Sequence, residues 1–246
     1  MHVTARTSER SPKRSRYQAP TEVVCEELQA VLHRAGRDAK SDEQFDMLRT
    51  SARREVFLYH AGDIEALQFP TVSIVGTRDV SEDGWKRATR LSRGLAEQGV
   101  TVMSGLARGV DTAALTGAMR AGGRVVAVIG TALGKAYPAE NGGLQEEIYR
   151  SHLLISPFSS EEPVYKSNFP KRNRVMALLS DATVIVEASD TSGTLHQAAE
   201  CQRLGRWLFI AKSVAENPNL KWPASFLGKP KTAVLEEVSN ILAVLG

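Results

Sequence analysis

Four short segments combine glycine with hydroxyl or cationic residues. They are Gly76-Thr77-Arg78, the run Ser104-Gly105-Leu106-Ala107-Arg108-Gly109, the run Gly130-Thr131-Ala132-Leu133-Gly134-Lys135, and Ser192-Gly193-Thr194. Such residues suit anion binding. Glycine lets the backbone approach a ligand with no side chain in the way. The free N–H groups of a following helix favour negative charge. Ser192 and Thr194 add hydroxyl donors, and Arg78, Arg108 and Lys135 add charge. A fifth segment, Phe169-Pro170-Lys171-Arg172-Asn173-Arg174, sets three cations ahead of the apolar run Val175, Met176, Leu178 and Leu179. A helix dipole disfavours cations at that end, so the placement points to a phosphate lying across the helix start. Phe169 is read as a buried staple residue, with base stacking as the second reading.

These segments need a scaffold that brings them together. Apolar runs recur at 56–59, 71–75, 100–104, 124–129, 153–156, 182–188 and 206–211. From the second run on, the strands begin about one strand plus one crossover helix apart. Between them lie helical patterns such as Trp85, Ala88, Leu91 and Leu95. Strands apolar on both faces, alternating with helices, predict an α/β fold with a doubly wound, mostly parallel, extended Rossmann-like sheet over residues 55–246. All four glycine turns then fall on the sheet's C-terminal edge, where ligands bind in such folds. No turn carries the full GxGxxG or Walker A pattern, so no dinucleotide cofactor or P-loop nucleotide is expected.

Of 246 residues, 31 are Lys or Arg and 28 are Asp or Glu, a formal net charge of +3. The excess is local. Residues 1–20 hold Arg6, Arg10, Lys13, Arg14 and Arg16 against Glu9, which leaves the rest of the chain at −1. If the folded body holds nucleic acid, it must therefore do so through a local patch, with the tail adding weak attraction. Cys25 and Cys201 form no CxxC pattern and the five histidines are scattered, so neither a disulfide framework nor a metal site is expected. No apolar run is long enough to span a membrane, and the basic N-terminus lacks the apolar core of a secretory signal. A cytoplasmic location is the default. Residues 1–20 read as a disordered basic tail and 21–54 as a helical appendage. Thr21 would cap a first helix presenting Val24, Leu28, Val31 and Leu32, and a second would start at Ser41, with Phe45 and Leu48 on it.

The collinear segments VFLYHAGDIEAL, SIVGTR, SGLARGVDTAAL, VVAVIGTALGKAYPAENGGL, FPKRNRVMALLSDATVIVEA and SGTLHQAAE resemble the DNA-processing protein A (DprA/Smf) family. The resemblance implies a Rossmann-like, non-enzymatic, homodimeric protein. Such a protein binds single-stranded DNA, protects it and helps load a RecA-type recombinase during DNA uptake and natural transformation. By matching motif it carries over Arg78, Ser104, Gly105, Arg108, Lys171, Arg172, Asn173 and Arg174, together with the Ser192-Gly193-Thr194 turn. The chain departs from the family pattern at Leu115, where a histidine is usual, at Lys212-Ser213, and at Ser156-Pro157-Phe158, which lacks the usual glutamate. No winged-helix extension fits before Gly246.

A nucleotide sensor or a phosphoribohydrolase-like enzyme on the same scaffold is the alternative. In such enzymes a glutamate follows a glycine-rich turn; here Gln197 stands in its place, with Glu200 three residues on. His196 is the histidine beside the site, Asp111 should brace the Gly109 turn and orient Arg108, and the three tryptophans read as core or interface groups. The strand-end arginines, taken as exposed, should contribute little to stability.

Overall fold

The computed structural model describes residues 17–37 and 56–245. Among the described residues nine strands form one sheet: β1 (Val24–Glu27), β2 (Phe57–Gly62), β3 (Thr71–Gly76), β4 (Thr101–Ser104), β5 (Val125–Val128), β6 (Leu153–Ser156), β7 (Ala182–Glu187), β8 (Trp207–Ala211) and β9 (Thr232–Leu235). Their spatial order is β1-β2-β6-β5-β4-β3-β7-β8-β9. The strands from β3 to β9 are parallel to their neighbours, whereas β2 runs antiparallel to β6 and β1 antiparallel to β2. The chain winds outward from β3 in one direction through β4, β5 and β6, then returns to lay β7, β8 and β9 on its other side. The β3/β7 boundary is therefore the switch point at which an open α/β sheet forms its ligand crevice.

Alternation along each central strand fills two cores. Val126 and Val128 of β5 join one cluster, and Val125 and Ala127 join the other on the opposite face. The helices covering the sheet are α1 (Leu28–Arg34), α2 (Glu82–Glu97), α3 (Val110–Arg120), α4 (Gly142–Ser151), α5 (Asn168–Leu179), α6 (Thr194–Arg203), α7 (Lys212–Ala215), α8 (Trp222–Phe226) and α9 (Val238–Leu245). Helix α2 shows the local logic. The Ser81 hydroxyl accepts from the Gly84 N–H at 3.0 Å, Glu82 and Asp83 occupy the first turn, and Ala88, Leu91 and Leu95 turn inward. Burying each leucine is worth about 2 kcal/mol.

The N-terminal appendage differs from the expectation. Val24 lies in a strand, not a helix, paired opposite His60. The free edge of β2 offers it hydrogen-bond partners, and a β-branched residue suits that extended backbone. Helix α1 begins only at Leu28, with Leu28, Val31 and Leu32 buried as one face; Thr21 does not cap it. The helix expected from Ser41 lies outside the described residues, as do residues 1–16 of the tail. The rest of the tail is engaged rather than loose: Tyr17 and Gln18 hydrogen-bond to α4 and to the loop before it. Strand β9 gave no sequence signal, because its four residues are short and only Leu235 is buried. Of the tryptophans, Trp222 is buried, but Trp85 is 41% exposed and does not complete the inward face of α2.

Candidate nucleic-acid interface

The turn after β3 opens the crevice. The Thr77 N–H donates to the Glu187 carbonyl at 2.7 Å, and the Thr77 carbonyl accepts from the Val110 N–H. A Cβ on Gly76 would sit 2.5 Å from Val110 Cγ2, so only glycine fits between β7 and α3. Gly109, at φ +76°, faces the Thr77 carbonyl at 2.4 Å from where its Cβ would be, which locks the turns after β3 and β4 together. Arg78 leaves this knot exposed, its guanidinium carbon 5.5 Å from the centroid of the Phe169 ring.

Opposite, the turn after β7 is tied inward by its hydroxyls. Ser192 Oγ donates to Thr194 Oγ1 at 2.9 Å, and Thr194 Oγ1 donates to the Gly76 carbonyl at 3.2 Å. Gly193 is exposed, with open space where a side chain would be. Helices α5 and α6 begin here, and neither has an acidic residue in its first turn, unlike α2. The first N–H groups of α6 are taken by Ser192 and Gly193 oxygens, so what these helix starts offer an anion is the positive end of a dipole that no carboxylate offsets.

Two clefts result. The first, about 300 Å³, lies at the β3/β7 switch point and is lined by Gly76, Thr77, Arg78, Asn173 and the Ser192–Thr194 turn, with His196 and Gln197 from α6. The second, about 320 Å³, lies over the ends of β4 and β5, between Gly105, Arg108, Gly130 and the loop Ala136–Glu140. Arg78, Phe169 and Arg172 line both. The Phe169 ring can reach this wall because Gly130 has no side chain: a Cβ there would be 2.8 Å from the ring. Phe169 is half-buried at the junction of the clefts, which places it differently from the buried staple expected of it.

The FPKRNR segment does not act as one cationic cluster. Arg172 is buried, 6% exposed. Its Nη1 donates to the carbonyls of Gly105 and Val128, the latter at 2.9 Å, and its Nε donates to Asn173 Oδ1 at 2.9 Å. A cation early in α5 thus has a structural use: it satisfies carbonyls at the C-terminal ends of β4 and β5. Arg174 turns toward α6 and pairs with Glu200 at 3.2 Å, outside both clefts. Lys171 is half-exposed and Lys135 exposed, and neither lines a cleft. Ser104 is buried and donates to the Ile74 carbonyl at 2.7 Å, a strand-to-strand tie beneath the site.

Asp111 works beneath the floor. Its Oδ2 accepts from the Gly105 and Ala107 N–H groups, each at 3.2 Å. Burial pushes its carboxyl up, while Arg172 and these donors pull it down; burial likewise pulls the Arg172 guanidinium down, with Asp111 opposing. Asp111 therefore faces Arg172. The arginine it was expected to orient, Arg108, is exposed and pairs with Glu140 at 3.4 Å. Glu200, the acid three residues past Gln197 on α6, has its oxygens held by Arg174 and by Arg203 at 2.8 Å. Gln197 is fully buried and donates to Thr183 Oγ1 at 3.3 Å.

Sequence reasoning passed over Tyr137, which stands 5.4 Å, centroid to centroid, from Phe169 in the second cleft. Its only signal was an aromatic beside Pro138 in a long loop after a strand end.

Comparison with known proteins agrees with this frame. DNA processing protein DprA of Streptococcus pneumoniae is 39% identical over 154 residues, 63% of this chain and 54% of that protein. The chain thus spans about half the length of that curated relative. The crystal structure of DprA from the same organism superposes with a TM-score of 0.70 at 34% identity, covering 76% of this chain and 65% of that one. DNA processing protein A of Helicobacter pylori, studied for its single-stranded DNA binding mode, superposes with a TM-score of 0.70 at 26% identity, covering 84% of this chain and 93% of that one. Residues 39–245 match the family of DNA recombination-mediator protein A. Since that match spans most of the sequence, the chain belongs to the DprA/Smf family of DNA recombination mediators.

Proposed function

We propose that this protein binds single-stranded DNA along the C-terminal edge of its sheet. In this reading it protects incoming DNA and helps load a RecA-type recombinase during uptake and recombination. It acts as a cytoplasmic homodimer and breaks no bond. The observation that carries the reading is Arg78, exposed above the Phe169 ring between two clefts and beside two acid-free helix starts. Charge, donors and an aromatic face at one place suit a phosphate joined to an unpaired base, whose faces are free to stack. A duplex hides those faces.

Within this reading Gly76, Thr77, Arg78, Asn173, Ser192, Gly193 and Thr194 surround the strand in the first cleft, and Arg108 meets it in the second. Ser104, Gly105 and Arg172 build the floor, and Lys135 and Lys171 reach phosphates beyond the clefts. The named relatives support the reading, one of them a protein studied for its single-stranded DNA binding mode. Two assays test it. The first is competition between single and double strands at equal nucleotide concentration, where preference for the single strand is expected. The second is recombinase filament growth on single strands coated with a single-strand-binding protein, where acceleration is expected. Equal affinity for both DNA forms would overturn the single-strand reading, and binding only to a mononucleotide would favour a sensor.

A further inference from the structure

The second cleft has its own chemistry. Tyr137 is 43% exposed, and its ring plane is inclined 43° to that of Phe169. Ala136 and Pro138 flank it with apolar surface, while Arg78 and Arg108 supply charge at the same cleft. Phe169 belongs to both cavities and Tyr137 only to this one. A base on each side of Phe169 would therefore belong to neighbouring nucleotides of one strand. The volume, about 320 Å³, suits one nucleotide rather than a duplex.

The loop carrying Tyr137 is held by the chain's N-terminal segment. Tyr17 Oη donates to the Leu133 carbonyl at 2.7 Å. Gln145, fully buried on α4, donates to Tyr17 Oη at 2.8 Å and to the Lys135 carbonyl at 3.2 Å. Asn141 closes the far end of the loop with a bond to the Leu106 carbonyl at 2.9 Å. The strap is completed by Gln18, whose N–H donates to Glu146 and whose carbonyl accepts from Tyr149. Burial pushes the Tyr17 hydroxyl up to about 12, so it keeps its proton and remains a donor at ordinary pH. A loop tied at both ends presents its aromatic residue with little motional freedom left to lose on binding.

We propose that Tyr137 stacks a second nucleobase in this cleft, and that Tyr17 is a positioning residue that holds Tyr137 ready by tying its loop to the N-terminal segment. The proposal rests on the single-stranded DNA reading and deepens it, giving the site a step of two nucleotides across Phe169.

The test uses the full chain and oligothymidylate. Tyr137→Leu, which keeps apolar bulk but removes the ring, should weaken binding on the order of tenfold. Tyr137→Phe should bind as the wild type does. Tyr137→Trp should keep the affinity and add indole fluorescence that oligothymidylate quenches beyond the wild-type signal. Tyr17→Phe, which deletes only the hydroxyl, should weaken binding severalfold and reduce that quenching when combined with Tyr137→Trp. A folding defect alone would leave the quenching at saturating DNA unchanged. Wild-type affinity for Tyr137→Leu, with binding lost in Arg78→Ala, overturns the second subsite and leaves the DNA reading intact. Full quenching in the Tyr17→Phe background overturns the positioning role. Failure of the wild type to bind the oligonucleotide overturns both.

Discussion

Arg172 donates to the carbonyl of Gly105, and its guanidinium occupies the space where a Cβ on Gly105 would have to sit. The two residues come from different glycine- or base-rich segments, and each requires the other. Arg172→Ala would leave the Gly105 and Val128 carbonyls and the buried Asp111 carboxylate without their cation. We predict a stability loss of about 3 kcal/mol, read as a lower denaturation midpoint. An unchanged midpoint would show that this guanidinium is not holding the ends of β4 and β5 together.

Arg78 should behave in the opposite way. Its side chain is exposed, with the guanidinium over the Phe169 ring. Arg78→Ala should move stability by less than about 0.5 kcal/mol while weakening single-stranded DNA binding. The slope of log affinity against log salt should flatten by about 0.7, the share of one phosphate contact. An unchanged slope would remove Arg78 from the interface.

Arg108 is tied to Glu140 across the second cleft at 3.4 Å, with both side chains about half exposed. A phosphate arriving there competes with that carboxylate and is repelled by it. Glu140→Gln should tighten DNA binding about twofold to threefold at low salt, with the gain fading as the Debye length shortens. Weaker binding in this variant would mean that Glu140 orients Arg108 for the ligand.

His60 makes stability depend on pH. It is 4% exposed on β2, neither ring nitrogen has a hydrogen-bond partner among the described residues, and Glu26 is 3.8 Å away. Burial pulls its imidazole below the usual value, with Glu26 opposing and Arg34 reinforcing. The unfolded chain therefore takes up a proton before the folded one does. Stability is complete above the ordinary histidine range, about 6.5, and falls as pH drops from there toward the lowered folded value, by at most about 1.4 kcal/mol per pH unit. His60→Phe should make the decline between pH 7 and pH 5 shallower. Parallel decline in both proteins would assign the effect to other groups, such as His152, which burial also pulls down.

The long-range plan was legible because it is written in repeated signals. Buried strands such as Leu153–Ser156 and Ala182–Glu187 are continuous apolar runs, and a glycine turn follows at several strand ends. Strands β1 and β9 were not legible. Each has four residues at a sheet edge, where half-exposed positions blur the pattern. Within the site, sequence marked where cations lie along the chain but not which way they turn. Arg78, after a strand end, and Arg172, at a helix start, read alike as phosphate-binding bases, yet one is exposed and the other is spent on two carbonyls. Arg174, two residues past Arg172 and so on another side of the helix, meets Glu200 instead of the cleft. Phe169 and Tyr137 became site residues only because Gly130 leaves room for a ring and the loop beyond it folds back.

Single-stranded DNA binding at this sheet edge is tested by a fluorescence anisotropy titration of labelled single strands of increasing length against the wild type and Arg78→Ala. Wild-type affinity should rise with length, and Arg78→Ala should be weaker throughout with a flatter salt slope. Affinity independent of length, equal in the two proteins, would contradict a single-stranded DNA interface on this edge of the sheet.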